Sequence, residues 1–264
     1  MVSILLGATI PTPLTMAANL SLTLGFLDYK KLELSPANLR YLDSSEKEKL
    51  NRLASKFLQS QFLAGRILAK SLLSMRLGIA PLSVKIRIHP SGRPINTAKM
   101  QFSISHSKGL AACVAGQKLL GLDLERRLQR RHYISIAEDF FHESEFTRIK
   151  REGGVKALQL FYEYWTIKEA YIKARNMSVG NLRMVPPVKI SDRLSITHDN
   201  LNIELPPADS GRPQIEAMFF TLSKEYILAI ASSPFPRKIT IAPDFPLPKN
   251  LNFGEARSCT FNLS

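Results

Sequence analysis

The chain has 264 residues, of which 45% are hydrophobic and 22% are charged, and its formal net charge is +14. This composition is sufficient for one substantial hydrophobic core or two smaller ones, and it argues against wholesale disorder. The positive charge favours polyanionic partners, such as nucleic acid, an anionic membrane, a phosphorylated cofactor or an acidic protein, without choosing among them.

Two cysteines, Cys113 and Cys259, are too few for a disulfide framework and have no metal-ligand spacing. They indicate a reducing compartment, and we expect a cytoplasmic protein. The apolar residues 1–20 contain two prolines and lack a basic region, which predicts a strand and a loop rather than a signal peptide. No stretch is long and apolar enough to cross a bilayer, so no membrane partner is expected.

The first half of the chain shows helical periodicity followed by short strands. Ser44 or Ser45 can cap a helix, because a serine side chain accepts hydrogen bonds from the first backbone amides of a helix. The further elements predicted in this half are a helix at about 61–77 ending near Gly78, a strand at 84–88, a turn at 91–94 (SGRP), and strands at 102–107, 109–116 and 119–125.

The second half begins with helices and continues with strands. The predicted helices lie at 134–141, from 141 to a break at Gly153–Gly154, and at 155–175; the predicted strands lie at 187–190, 194–197, 200–204, 214–221 and 225–231. From Ser233 onwards five prolines fall within a short span, which predicts a loosely draped tail. Strands mixed with helices, without regular βαβ alternation, favour an α+β fold.

The strand at 119–125 carries two carboxylates in the sequence GLDLE. Alternate residues of a strand share a face, so Asp123 and Glu125 point the same way while Leu122 and Leu124 point to the core. Two converging carboxylates suit Mg²⁺, with phosphate oxygens completing its shell. Taken alone, such a pair is more often the solvated face of an amphipathic strand.

The predicted helix at 155–175 contains the sequence WTIKEAYIK, with Trp165, Glu169 and Lys173 on one face. Lys168 is the neighbour of Glu169 around the helix. A glutamate flanked by lysines can bind a metal or act as a base, while a lysine holds a phosphate. Taken alone, a Glu–Lys pair at this spacing is more often a solvated ion pair.

The sequence FSISHS at 102–107 places Ser105 and His106 where a strand ends and a turn begins. A histidine in this position can donate a hydrogen bond to a phosphate, although a lone histidine is more often structural or exposed. His106 has no histidine or cysteine nearby at metal-ligand spacing, which disfavours zinc. The G-x-S-x-G pattern of a hydrolase nucleophile is absent here.

In this order and at these separations, the three motifs resemble those of the Sfp-type 4′-phosphopantetheinyl transferases, in the W–KEA subgroup. The family pattern runs F-N-x-S-H-S, then G-[IV]-D-[IV]-E, then W-[ST]-x-K-E-[AS]-x-x-K. This chain departs from it conservatively, with Ser103 in place of asparagine and leucines in place of the β-branched residues. The turn at 91–94 and the sequence FFHESE at 140–145 extend the resemblance, which covers residues 44–175 well.

The resemblance implies two similar α+β halves related by a pseudo-twofold axis, with coenzyme A (CoA) bound in the cleft between them. It divides the chain into an N-terminal half (1–115), a C-terminal half with the Mg²⁺ site (116–232) and a proline-rich tail (233–264). The implied reaction transfers the 4′-phosphopantetheine group of CoA to a serine of an apo acyl or peptidyl carrier protein. It releases 3′,5′-ADP and depends on Mg²⁺.

The resemblance also assigns roles in catalysis. Asp123 and Glu125 are implied to ligate Mg²⁺, and Glu169 either completes the metal site or acts as the base for the carrier serine. Lys173 is implied to contact the pyrophosphate and to stabilise the charge that develops on it. These roles agree with the chemistry, because phosphoryl-group transfer needs charge neutralisation and positioning more than covalent help.

Four further residues are implied to bind the co-substrate CoA. Ser105 and His106 match residues that contact a CoA phosphate, and Arg93 matches the cation that meets the 3′-phosphate. Lys47 aligns with a lysine that reaches a CoA phosphate, but Lys49 is nearby and a solvated helix face explains Lys47 equally well.

The positive charge suits both CoA and an acidic carrier protein, and we expect a monomer without nucleic-acid partners. The main alternative is a basic nucleic-acid-binding protein. The charge favours it, but zinc-finger spacing, an RRM signature and a stripe of aromatic and basic residues are all absent. A second alternative is a degenerate transferase that binds CoA or a carrier without turnover, which the intact acidic motifs argue against. The sequence leaves open which carrier protein is modified.

Overall fold

The structure is a computed structural model that describes residues 21–90, 92–96, 98, 100–116, 119–129, 131–193, 197–198, 202–204, 215–233, 235–236 and 238–261. The strand and loop predicted for residues 1–20 lie outside these ranges. Within them, no helix combines the length and the apolar character needed to cross a bilayer.

The helices of the described residues are α1 (Pro36–Leu39), α2 (Ser44–Asn51), α3 (Lys56–Leu77), α4 (Tyr133–Phe140), α5 (Glu143–Glu152) and α6 (Gly154–Ala174), with 3-10 turns at Pro81–Ser83 and Val179–Met184. The strands are β1 (Ser21–Asp28), β2 (Ile86–Ile88), β3 (Pro94–Asn96), β4 (Gln101–Ser107), β5 (Leu110–Gly116), β6 (Leu119–Arg126), β7 (Val188–Arg193), β8 (Thr197–His198), β9 (Asn202–Glu204), β10 (Glu216–Leu222), β11 (Tyr226–Ser233), β12 (Lys238–Ile241) and β13 (Phe253–Phe261).

The chain forms two compact units that are not consecutive halves. Unit 1 comprises residues 1–117, 198–203 and 238–248, and unit 2 comprises residues 118–197, 204–237 and 249–264. Each unit contains a sheet and a long helix packed against it. Helices and strands are thus mixed within each unit, which confirms the predicted α+β class.

Unit 1 is built on a six-stranded sheet with the order β4-β5-β1-β12-β9-β8. Helix α3 packs against β1, β4 and β5 through fully buried residues such as Leu68 and Leu72. The Ser55 hydroxyl accepts a hydrogen bond from the Leu58 amide at the start of α3. The helix ends at Gly78, whose φ of 66° is the left-handed conformation that favours glycine at a helix C-terminus.

A tight hairpin joins β4 to β5. Ser107 pairs with Leu110 across Lys108 and Gly109, whose φ angles are 47° and 103°. Positive φ at both central residues is typical of a type I′ turn, which matches the twist of the two strands. The hairpin places His106 near its closed end, as the sequence predicts.

The N-cap of α2 corrects one prediction. The capping residue is Asp43, not Ser44 or Ser45. The Asp43 carboxylate accepts a hydrogen bond from the Glu46 amide at 2.9 Å, and the Glu46 side chain accepts one from the Asp43 amide at 3.1 Å. This reciprocal capping box satisfies two backbone donors, and a carboxylate is also favoured by the helix dipole.

Unit 2 is built on a five-stranded antiparallel sheet with the order β6-β11-β10-β13-β7. Helix α6 packs across β6, β11 and β10, and α5 packs on α6. Gly153 separates the two helices and Gly154 begins α6; both have positive φ (64° and 53°), which confirms the predicted break.

The loosely draped tail expected after Ser233 is contradicted by the described residues 238–261. Strand β12 lies between β1 and β9 in the sheet of unit 1, and β13 lies between β10 and β7 in the sheet of unit 2. A proline cannot donate a backbone hydrogen bond within a sheet, but this keeps only the proline itself, and not the residues around it, out of a central strand. The last three prolines, 243, 246 and 248, fall in the connection between β12 and β13.

Candidate active site

The acidic motif lies on β6, at one edge of the sheet of unit 2. Asp123 is buried and Glu125 is half-buried, and they pair across the sheet with Ala229 and Ile227 of β11. These two neighbours belong to the core on the side of α6. Both carboxylates therefore lie on one face, as the alternation in the sequence predicts, but this is the face that α6 covers and not the side away from the core.

Gly121 lets α6 approach this face closely. A Cβ atom at this position would lie 1.9 Å from the carbonyl oxygen of Ala170 and 2.5 Å from the amide nitrogen of Ala174. Both are backbone atoms of α6, so no side-chain rotation can relieve the overlap. The contact brings the turn that carries Glu169 and Lys173 onto β6. No local pattern marks Gly121 as a packing residue, although its position two residues before Asp123 is a usable signal.

Lys173 and Asp123 form a close ion pair. The Lys173 Nζ atom donates a hydrogen bond of 2.6 Å to Asp123 Oδ1. The Asp123 side chain is 5% exposed, whereas that of Lys173 is 30% exposed. A charge-assisted bond of this length at a buried carboxylate joins the acidic strand to the helix.

Glu169 is buried beside the two carboxylates of β6. Burial raises its pKa most, the negative charges of Asp123 and Glu125 raise it further, and the positive charge of Lys173 lowers it; the resulting pKa is about 7. A carboxylate with this pKa exchanges a proton near neutral pH, which is the property of an effective general base. The electrostatic coupling also places Glu169, Asp123, Glu125 and Lys173 in one cluster.

The donor chemistry of this cluster fits a hard divalent cation. Burial raises the pKa of Glu169 most and the charges of Asp123 and Glu125 raise it further, and a bound Mg²⁺ would offset that repulsion between carboxylates. Among the described residues, however, no group of three or more His, Cys, Asp or Glu side chains is already arranged to hold a metal ion. The ammonium group of Lys173 instead contacts Asp123.

Lys168 does not line this cluster, contrary to its suggested role in holding a phosphate. Its side chain is fully buried and forms an ion pair of 2.9 Å with Glu145 of α5. The sequence could not distinguish Lys168 from Lys173, because both flank Glu169 on the same helix. Only the packing of α5 against α6 distinguishes the buried Lys168 from the partly exposed Lys173.

Trp165 anchors the start of the WTIKEAYIK segment. Its ring stacks on Phe161 at 5.8 Å between centroids and meets Phe140 and Phe141 at 6.3 and 6.4 Å. The aromatic cluster joins α6 to the junction of α4 and α5. It orients the helix that carries Glu169 and Lys173.

In unit 1, His106 lies at the surface and is linked by hydrogen bonds through Gln61 to the buried Tyr29. The Tyr29 hydroxyl donates to Gln61 Oε1 at 3.1 Å, and the Gln61 amide nitrogen lies 3.0 Å from His106 Nε2. An amide nitrogen only donates, so His106 Nε2 acts as the acceptor and the ring proton resides on Nδ1. Gln61 therefore sets the tautomer of His106, and no local sequence pattern indicates this contact.

A cavity in unit 1 adjoins His106. The residues that line it include Lys49, Gln61, Phe62, Arg66 and His106. The Arg66 guanidinium lies 4.7 Å above the Phe62 ring. Cationic and aromatic side chains around one cavity suit a ligand with a phosphate and a planar ring.

The other predicted CoA contacts are placed differently. Lys47 is exposed on α2, and Ser105 is buried on β4. Arg93 is half-buried, donates to the Phe102 carbonyl at 3.3 Å, and has a pKa lowered by burial. None of the three is among the described residues that line the cavity beside His106. Lys49 and Arg66 line it instead.

Arg66 is held by a buried network that the sequence did not reveal. Glu46 of α2 forms an ion pair with Arg66, whose Nε atom lies 2.7 Å from Glu46 Oε1, and its Oε2 atom accepts a hydrogen bond from Lys70 Nζ at 2.6 Å. Lys70 also donates to the Tyr41 carbonyl. This network fixes α2 on α3 and so fixes one wall of the cavity.

Comparison with known proteins places both units in one family. The sequence profile of the 4′-phosphopantetheinyl transferase superfamily matches residues 119–231, and that of the 4′-phosphopantetheinyl transferase N-terminal domain matches residues 46–116. Together the two matches cover more than half of the chain, which belongs to the Sfp-type 4′-phosphopantetheinyl transferase family.

Individual relatives agree with this assignment. The chain is 31% identical over 150 residues to the 4′-phosphopantetheinyl transferase HetI of Nostoc sp., which covers 54% of this chain and 63% of HetI. It is 35% identical over 112 residues to the 4′-phosphopantetheinyl transferase gsp of Aneurinibacillus migulanus, covering 42% and 46%. It is 24% identical over 207 residues to the 4′-phosphopantetheinyl transferase Sfp of Bacillus subtilis, covering 77% and 88%. The chain thus spans less than two thirds of the length of HetI and of gsp.

Proposed function

We propose that the protein transfers the 4′-phosphopantetheine group of CoA to a serine of an apo acyl or peptidyl carrier protein, releasing 3′,5′-ADP, in a reaction that depends on Mg²⁺. The observation that supports this most strongly is the cluster of Asp123, Glu125, Glu169 and Lys173, within the region that matches the family. The names of the relatives supply the reaction class.

In the proposed reaction, the serine oxygen attacks the β-phosphorus of the CoA pyrophosphate. A new P–O bond forms, and the bond from the β-phosphorus to the bridging oxygen breaks. The electron pair leaves with 3′,5′-ADP, and the serine proton passes to Glu169. The pKa of about 7 suits Glu169 for this proton transfer, because the carboxylate is deprotonated often enough to accept and basic enough to hold the proton.

Lys173 serves the pyrophosphate in this proposal. Its partly exposed ammonium group can leave Asp123 and meet the negative charge that develops on the leaving group. Asp123 and Glu125 are the residues that would hold Mg²⁺ while Glu169 accepts the proton; in the alternative assignment Glu169 is the third ligand. When bound, the ion would neutralise pyrophosphate charge and improve the leaving group.

Unit 1 would supply contacts to the nucleotide end of CoA. We assign this role first to His106, Lys49 and Arg66, which line one cavity. Ser105, Arg93 and Lys47 remain proposed contacts on the strength of the family resemblance. Cationic side chains around a phosphate site raise the affinity for the multiply charged CoA.

The decisive experiment is intact-mass analysis of an apo carrier protein incubated with this protein, CoA and Mg²⁺. The expected result is a mass increase of one phosphopantetheine that EDTA prevents. Carrier proteins of fatty-acid, polyketide, peptide-synthetase and siderophore pathways are compared side by side. An unchanged mass on every carrier, together with no binding of CoA by calorimetry, would overturn the proposal.

We further propose that the enzyme acts as a monomer in the cytoplasm on an acidic carrier protein. The net charge of +14 supports an acidic partner. The two cysteines are buried free thiols, which supports a reducing compartment. Light scattering of the purified protein tests the monomer.

A further inference from the structure

Glu145 and Lys168 form an ion pair in the interior of unit 2. Lys168 Nζ lies 2.9 Å from Glu145 Oε2, and their side chains are 0% and 2% exposed. Lys168 also donates to the Val185 carbonyl at 3.2 Å. Its ammonium group lies 5.8 Å from the centre of the Phe141 ring. The end of this side chain is therefore fixed by several directed contacts.

Glu145 connects three further parts of unit 2. Its Oε2 atom accepts from the His142 amide at 3.0 Å and so completes the capping box of α5. Its Oε1 atom accepts from the Val188 amide at 2.7 Å, where β7 begins. The Glu145 carboxylate thus contacts the start of α5, the start of β7 and the side of α6.

Lys168 immediately precedes Glu169. Ala170, the residue after Glu169, contacts the sheet from a second direction. There the missing side chain of Gly121 allows the Ala170 carbonyl to meet β6. Two contacts on different sides of one helical turn restrict both its rotation about the helix axis and its sliding along it. Glu169 and Lys173 project from this turn.

We infer that Glu145, acting through Lys168, is a positioning residue that holds the Glu169–Lys173 segment of α6 in register with the acidic strand β6. The inference rests on the proposed function, since it concerns the geometry of that reaction. It also explains why the FFHESE and WTIKEAYIK sequences occur in the same chain: each supplies one partner of the pair.

A positioning role accounts for this pair better than stability alone. Removing two charges from water is costly, and apolar residues of similar size often stabilise a protein equally well. Apolar residues would fill the same space but would not fix the direction of α6, because dispersion contacts are not directional. Phosphoryl-group transfer responds to sub-ångström placement, so a small movement of Glu169 lowers the rate.

The test uses two variants of the full chain. Glu145→Gln combined with Lys168→Met removes both charges together, while the glutamine keeps an acceptor for Val188 and methionine keeps an unbranched chain. Glu145→Asp keeps both charges but shortens the carboxylate by one methylene. In each folded variant we expect kcat to fall about 10- to 100-fold while KM for CoA stays within about twofold.

The matched control neutralises the exposed pair formed by Lys156 and Glu152, whose atoms lie 2.6 Å apart, with Glu152→Gln and Lys156→Met. It should leave kcat unchanged. Wild-type kcat in a folded test variant, or a rise in KM as large as the fall in kcat, would overturn the inference. If the double variant does not fold, the kcat and KM of Glu145→Asp alone test the inference.

A second readout separates this inference from the proposed function. Amide hydrogen exchange of residues 165–173 should become at least about tenfold faster in the test variants, with α3 unchanged. If the wild-type protein transfers nothing, the proposed function fails, and the exchange result still decides whether the pair restrains this segment. Unchanged exchange would then refute the inference.

Discussion

Lys173 Nζ lies 2.6 Å from Asp123 Oδ1, and this contact joins the helix and the strand of the candidate site through two opposite charges. The lysine is partly exposed, whereas the aspartate is buried. Lys173 can therefore turn towards a ligand, whereas the Asp123 carboxylate stays in place and then needs another cation. Asp123 is thus suited to exchange Lys173 for another positively charged partner during a reaction.

We predict that Asp123→Asn lowers kcat for transfer by at least about 100-fold, because the buried negative charge that attracts a cation is lost. The fold should persist, since Lys173 can extend into solvent. Steady-state transfer assays measure the rate, and circular dichroism checks the fold. Near wild-type activity of a folded variant at saturating Mg²⁺ would remove Asp123 from the site.

Glu169 should make the stability of the metal-free protein depend on pH. Its folded pKa of about 7 lies above the unfolded value of about 4.3, so the folded state binds the proton more tightly. The resulting stability is fully present below the unfolded pKa and is lost as pH rises through about 7. Relative to Glu169→Gln, the wild type should lose up to about 3 kcal/mol between pH 4.5 and 8. Urea unfolding at several pH values measures this difference. Free energies of unfolding that change with pH equally in the wild type and in Glu169→Gln would contradict the prediction.

Gly121→Ala should damage both stability and activity. The new methyl group would overlap backbone atoms of α6, so the helix must move away from β6. We expect a loss of about 3 kcal/mol in the free energy of unfolding, as for severe overpacking, and a fall in kcat. Gly180→Ala is the control, because its Cβ would meet only Ser178 Oγ, at 3.8 Å. Equal thermal stability of the two variants would show that the close approach does not matter.

Gln61→Leu should raise KM for CoA several-fold with little change in kcat. The substitution removes the donor that holds His106 Nε2 as an acceptor. Nitrogen-15 NMR of the histidine ring reads the tautomer directly: Nδ1 is protonated in the wild type, and the two tautomers mix in the variant. A wild-type ring protonated on Nε2 would refute this assignment independently of any assay.

Glu46→Gln should destabilise unit 1 strongly. It leaves two buried cations, Arg66 and Lys70, without their carboxylate. Breaking a buried ion pair from one side costs about 3–5 kcal/mol. Glu48→Gln on the same helix is the control, because its exposed pair with Arg52 at 3.6 Å should contribute less than about 0.5 kcal/mol. Urea unfolding compares the two, and similar midpoints would contradict the prediction.

Local patterns were enough to predict most elements of the described chain. Alternation along GLDLE predicts a strand with both carboxylates on one face, and β6 confirms it. Apolar periodicity and Gly78 predict the end of α3, and Gly153–Gly154 predicts the break before α6. These features depend on backbone conformation and near neighbours, which a single sequence contains.

The remaining features depend on residues far apart in sequence. Glu145 and Lys168 are 23 positions apart, and nothing local indicates which lysine beside Glu169 is buried. The capping residue of α2 was misplaced because three adjacent polar residues compete for one position. The strands after Ser233 were missed because the proline content was averaged over the segment, whereas Ile239 and Ile241 alternate into a core.

The placement of β12 and β13 has a consequence for how the protein is made. Each sheet receives an interior strand from residues 238–261, so neither sheet can close while that segment is still inside the ribosome. A nascent chain of this protein therefore has a gap in both sheets, with unpaired edges, until these residues have emerged. Emergence of this segment, rather than completion of the first 117 residues, becomes the step at which both units can acquire their native cores.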